Sequence, residues 1–348
     1  MRITMGIATL ACAAALACLA PAGAGASIGA DLRVVGPAGQ LVDLTQYSDS
    51  ETVPTSPQAV CFGPGSNGSG QESTMSGPTA LGIVGEAAKS RFALNPLLLS
   101  DKYVPDGFGL AVCGIGGIVS EGNAFWYVKV NHTGLQVSGS LFEIHPGDQV
   151  LWTLVPNYPP GAELVLNAPD RELAGTSFPV QVLAYADDGS VTPAAGATIS
   201  GGTSPVITDG SGNAAVTLSG EGPHQLQATR GSDIPSAMTD VCSFDDVTAC
   251  PAARGRLVVG SDGADTIAGT AGNDRIKPRA GNDGVKALAG DDGIDVRGGG
   301  SDRVNCGGGN DTVKGDKRDR FAKNCEHRSR AGKKKHGKGR KHKGGHKK

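Results

Sequence analysis

Between Gly260 and Lys314 one phrase returns every nine residues: Gly, any residue, Asp, any residue, then Ile or Val. Asp265, Asp274, Asp283 and Asp292 keep the period, and one inserted residue resets the frame to Asp302 and Asp311. A glycine stands two positions before each aspartate (Gly263, Gly272, Gly281, Gly290, Gly300, Gly309). A branched residue stands two positions after it (Ile267, Ile276, Val285, Ile294, Val304, Val313). A unit of nine residues cannot bury a core alone, so the segment must stack its repeats into a solenoid.

Two short turns and two short strands close one coil in 18 residues, so alternate repeats stack on the same face. The branched residues then form an inward apolar column, and glycine lets the turn backbone approach a cation. Aspartates of successive turns are expected along one edge. At the spacing of stacked strands, about 4.8 Å, they repel unless a cation lies between them. A hard divalent ion bound by carboxylate and carbonyl oxygen meets that need, and Ca²⁺ suits such a flexible oxygen site. Asp265, Asp274, Asp283, Asp292, Asp302 and Asp311, with Gly263, Gly272, Gly281 and Gly290, are the candidate metal residues, and folding of the coil is expected to depend on the ion.

These registers resemble the haemolysin-type nonapeptide repeats of RTX proteins, written G-G-x-G-x-D-x-U-x. The resemblance spans about 55 residues, Gly260 to Lys314, and implies a parallel β-roll that binds Ca²⁺. Pro278-Arg279 and Ala287-Leu288 stand where the family carries its leading glycine pair, and an insertion at Gly298 to Gly300 breaks the stagger. A decayed coil that no longer needs calcium is the alternative reading.

The rest of the 348 residues is also β-like: 54 Gly and 20 Pro with only 4% aromatics favour short strands and turns over long helices. At 31–166, "TALGIVGEAAKS" from Thr79 is the one helical stretch, and "FWYVKVNHTGLQVSGSLFEIHPGDQVLWTLVP" alternates as two strands that would bury Trp126, Val128, Val130 and Trp152. Residues Trp126 to Asn131 and Gly147 to Trp152 resemble the transcobalamin C-terminal-like domain, which implies a β-grasp-like unit and, in some relatives, cobalamin binding. His132 replaces that family's turn glycine. At 168–244, Gly196 to Ile199 and Thr208 to Ala214 resemble bacterial immunoglobulin-like and carboxypeptidase regulatory-like domains, spacer or adhesion units in the main. The expected fold is therefore mainly β and multi-domain: signal peptide 1–26, β-grasp-like α+β module 31–166, immunoglobulin-like sandwich 168–244, parallel β-roll 255–327 and disordered basic tail 328–348.

Residues 1–26 have the parts of a secretory signal: Arg2, an apolar run from Ile7 to Leu19, and the small residues Ala24, Gly25 and Ala26. No later run is long and apolar enough to span a bilayer, so an extracellular or cell-surface protein without a transmembrane segment is expected. Beyond the signal six cysteines remain, and their grouping suggests the disulfides Cys61 with Cys113, Cys242 with Cys250 and Cys306 with Cys325. From Arg328 onward the tail holds 11 Lys or Arg, three His and no acid, leaving 21 basic against 34 acidic residues in the body. Such a tail suits an anionic wall polymer or another polyanion; without aromatics it offers no stacking and no sequence-specific hold on nucleic acid. No catalytic motif or nucleophile–base pairing appears, so no enzymatic activity is expected. A small-molecule ligand of the first module, such as a corrinoid, is the rival function.

Overall fold

A computed structural model describes residues 27–246, 250 and 254–330. The expected signal peptide and positions 331–348 of the tail lie outside the described residues. The architecture is mainly β with several sheets, and the one α-helix among the described residues is Gly82–Ala88. The Thr79 hydroxyl accepts the N–H of Gly82, the first residue of this helix, at 2.9 Å.

In the N-terminal module, strands Ile28–Gly36 and Gly39–Ser48 form a hairpin. Gln149–Val155 runs parallel to the first of them and antiparallel to Phe125–Val130. One face of this sheet packs against the helix, and Trp126, Val128, Val130 and Trp152 are buried in its core as their alternation requires. Two further sheets of four and five strands enclose a second core around Val182, Leu218 and Leu226. That second unit is fixed to the first. Fully buried Lys129 donates to the carbonyls of Tyr185 and Ala186, Tyr127 donates to Asp187, and Arg33 pairs with Glu163 at 3.2 Å. His132, at φ +68° in the turn after Phe125–Val130, stacks on Tyr185 and lies 3.0 Å from Glu163. A residue in left-handed backbone thus ties the two units together.

The coil has two parallel sheets. One is built from Thr266–Ala268, Gly284–Lys286, Arg303–Asn305 and Arg320–Phe321. The other runs Arg254–Val259, Asn273–Lys277, Gly293–Asp295, Thr312–Gly315 and His327–Arg330. The second sheet does not end at the coil. Thr45 and Gln46 pair in parallel with Val258 and Val259, so coil and N-terminal module share one ten-stranded sheet. Tyr47 enters the coil's apolar column, its hydroxyl accepting the Ala268 N–H. The near end of the solenoid is therefore covered by the first module. At the far end Arg328, expected to be disordered, and Ser329 and Arg330 after it belong to the last described strand, with Arg330 over the Phe321 ring at 4.9 Å. All three expected disulfides form, with Cα separations of 4.7, 6.1 and 5.2 Å.

Candidate metal centre

In a strand, residues two apart share a face. The phrase D-x-U therefore sends each aspartate to the same side as the branched residue that follows it. Ile267, Ile276, Val285, Ile294, Val304 and Val313 form the expected column, and Asp265, Asp274, Asp283, Asp292, Asp302 and Asp311 are each 2% exposed or less. The sequence places the acids along one edge; in the structure that edge lies inside the turns and not at the surface.

Their first demand is met by backbone. Asp283 Oδ1 accepts the N–H of Asp265 at 3.0 Å, and Asp302 accepts that of Asp283 at 2.8 Å. On the other side of the coil Asp292 accepts from Asp274 at 2.8 Å and Asp311 from Asp292 at 2.9 Å. Each carboxylate thus clamps the turn before it. The two ladders end on residues that the nine-residue register misses: Asp319 accepts from Asp302 at 3.2 Å, and Glu326 accepts from Asp311 at 2.9 Å. Asp319 was legible in one respect, since it stands two before Phe321, an apolar residue packed on the column.

The second oxygens divide the coil in two. Ser261 donates its N–H and hydroxyl to Asp265, and Thr270 does the same for Asp274, which also accepts the Arg256 N–H. Ser27 adds its hydroxyl to Asp265. Four residues before the later aspartates stand Arg279, Leu288, Gly298 and Gly307, which have no hydroxyl to offer. Oδ2 of Asp283, Asp292, Asp302 and Asp311 is accordingly buried without a hydrogen-bond partner. Burial, reinforced by the neighbouring acids, raises Asp283 and Asp292 to about 7 and also pushes Asp302 and Asp311 upward. A buried anionic oxygen left unpaired is costly, and a cation is the direct remedy.

Glycine supplies the rest of an oxygen site. A β-carbon at Gly281 would strike the carbonyl oxygen of Gly263; Gly290 stands likewise over Gly272, Gly300 over Gly281 and Gly309 over Gly290. The four later glycines adopt φ between +85° and +136°. Among the described residues no three His, Cys, Asp or Glu side chains converge on one point, so a cation here must draw on backbone carbonyls as well as carboxylates. That donor chemistry, hard oxygen with few formal charges, fits Ca²⁺. The residues that would hold it are Asp283, Asp292, Asp302 and Asp311, with the backbone of Gly263, Gly272, Gly281 and Gly290. Asp265 and Asp274, also candidates, have protein partners on both oxygens.

Arg279 and Leu288 explain the departures from the repeat in unequal degree. Both occupy left-handed backbone, φ +77° and +79°. Arg279 uses it to reach out of the coil, pairing with buried Glu86 of the helix and with Asp262 at 2.7 Å. Nothing in the structure explains Leu288, whose side chain is exposed.

No curated protein and no solved structure matches the chain. Residues 259–294 and 298–317 match the RTX calcium-binding nonapeptide repeat family in four copies, and these repeats imply Ca²⁺ as the ligand of the coil.

Proposed function

We propose that this is a secreted or cell-surface, non-enzymatic protein in which Ca²⁺ orders the coil and the coil, with the basic tail, holds an anionic wall polymer. One observation carries the reading. Between Arg254 and Arg330 seven of the 12 acidic side chains are buried and none of the 15 Lys and Arg is. A segment near neutrality by sequence therefore shows solvent a cationic surface. On the four-stranded face Lys286, Arg303 and Arg320 stand outward, Arg303 beside Arg320 in the register, and none has an acidic partner among the described residues. Repeated cations on a regular sheet suit a linear polyanion through salt-sensitive contact. The tail would extend the same charge.

The three histidines outside the coil and tail support the non-enzymatic reading through the positions they hold. His132 joins two units, His145 stands exposed beside Asp148, and His224 faces the Gly220 carbonyl. Binding of the full chain to an immobilised phosphodiester-linked wall polymer tests the proposal. Affinity should fall steeply with salt, and K286Q/R303Q/R320Q should lower the salt slope by on the order of one per charge removed. Retention indifferent to salt would refute it. The second reading, capture of a small molecule by the N-terminal module, is favoured by a cleft in that module.

A further inference from the structure

The chain has 15 aromatic residues, and seven of them line one cleft of about 460 Å³. Trp126 and Trp152, the only tryptophans, stand within it, with Phe62, Phe108, Phe125 and Tyr127 around them. Several of these rings remain open to water: Phe62 is 62% exposed and Phe108 70%. A contiguous apolar surface of this kind costs free energy unless something occupies it.

The wall is built to stay open. Cys61–Cys113 fixes the residue before Phe62 to the strand Ala111–Ile115, whose Val112 lies on the floor. Phe62 meets Tyr103 edge to face at 5.8 Å, and Phe125 meets Tyr127 in the same way at 6.0 Å. Faces and edges are therefore both presented to an occupant, the arrangement in which aromatic rings attract one another.

Polar chemistry narrows the occupant. No Lys, Arg, Asp or Glu lines the cleft. Four of the five side-chain donors around it are already engaged, leaving only the Tyr103 hydroxyl: Trp126 Nε1 to the Ile118 carbonyl, Trp152 Nε1 to that of Ala80, the Tyr127 hydroxyl to Asp187, and the Ser138 hydroxyl to the Leu110 carbonyl. A charged ligand would lose its hydration and gain no partner of opposite charge. The volume lies in the range of small-molecule sites, roughly 300–1,000 Å³, and suits a few rings rather than the enclosure of a whole corrinoid.

We propose that this cleft binds a small, neutral, ring-bearing hydrophobic molecule. The assignment rests on the second reading above and specifies where in the module, and for what chemistry, that reading holds. N-phenyl-1-naphthylamine, neutral and aromatic, is a direct probe. Because both tryptophans border the cleft, energy transfer from tryptophan to the probe reports occupancy of this site. Titration of the full chain should give saturable transfer. F62A/F108A should weaken it by at least about tenfold, since two large apolar contacts are lost, and V137D at the exposed rim should do likewise. F92A, which removes a ring 90% exposed elsewhere, should change nothing. Absence of saturable transfer, or rim variants that bind like the parent, would overturn the assignment. So would a dimer in sedimentation that the same rim substitutions dissociate, because the cleft would then be a self-association surface. Cobalamin titrated in parallel separates the levels of failure: if it binds and the probe does not, only this cleft's assignment falls, and if neither binds, the reading of the module as a small-molecule binder falls with it.

Discussion

The first two turns of the coil and the four that follow share one phrase but satisfy their aspartates differently. Asp265 and Asp274 are saturated by Ser261, Thr270 and neighbouring backbone; Asp283, Asp292, Asp302 and Asp311 each keep one buried oxygen without a partner. The near turns also lie against the N-terminal module, through Tyr47 and through the pairing of Thr45 and Gln46 with Val258 and Val259. One repeat thus serves two ends. Where protein covers the coil, hydroxyls complete the ladder; farther out, a cation must.

Chelation should break the coil at that boundary and produce the largest effect. With Ca²⁺ removed, amide exchange should accelerate across 281–330 while 254–277 retain protection from the shared sheet. A site at a hundredfold excess of ligand over Kd contributes about 2.7 kcal/mol, so loss of even two sites exceeds any single substitution discussed below. Uniform loss of protection through both halves, or none in either, would remove the distinction.

The attachment of the near end can be tested at two residues of like backbone. R279G relieves a left-handed φ but strips a partner from buried Glu86, and a net destabilisation of about 2 kcal/mol is expected from these opposed effects. L288G relieves nearly the same strain and removes a side chain that is half open to solvent and forms no ion pair, so its stability should stay within about 0.5 kcal/mol of the parent once the extra backbone entropy of glycine is counted. Equal responses in thermal unfolding would show that Arg279 does not anchor the coil.

Much of this division was legible, though only in part used. The registers fix the inward column, and cysteine grouping gives the three disulfides. Period-two alternation, applied to D-x-U, also dictates that the acids are buried beside the branched residues. Ser261 and Thr270, four residues before their aspartates, were a readable sign that these two turns need less from a cation. The joint was not legible. Residues 45 and 258 pair across more than 200 positions of sequence, and nothing local in either strand encodes a parallel partner so distant. The charge inversion of the coil surface was hidden for the same reason: net charge sums all residues, whereas a partner meets only those left outside.

Substitution within each class of aspartate sharpens the contrast at smaller magnitude. D292N should lower Ca²⁺ affinity by about tenfold, yet leave the chelated protein no less stable, because a buried unpaired charge is removed. D274N should reverse the pattern. Its loss of hydrogen bonds to a charged acceptor costs about 1–2 kcal/mol with or without the ion, while Ca²⁺ titration by calorimetry stays nearly unchanged. Loss of calcium affinity in both variants would make all six turns equivalent.

The smallest effect is expected beside the joint. Glu51 is buried against Glu86 and Lys89, and burial with the neighbouring carboxylate raises it from 4.5 to about 7. Glu86, despite its own desolvation, is held low by hydrogen bonds from Glu51 and Lys89 and by the charges of Lys89 and Arg279, so the proton resides on Glu51. A folded-state value above the unfolded one means that stability is fully present below pH 4.5 and is lost as pH rises through about 7. E51Q cannot ionise and keeps the side chain's shape. Its stability should match the parent at pH 4, gain steadily between pH 4.5 and 7, and level off above that at an advantage of roughly 1 kcal/mol, well below full conversion of the shift because the partly exposed Lys89 ammonium lets solvent screen the pair. Chemical denaturation across that range checks the sign: a variant that loses ground as pH rises would mean that Glu51 is ionised in the folded protein, and that the near end is held by its charge rather than by its proton.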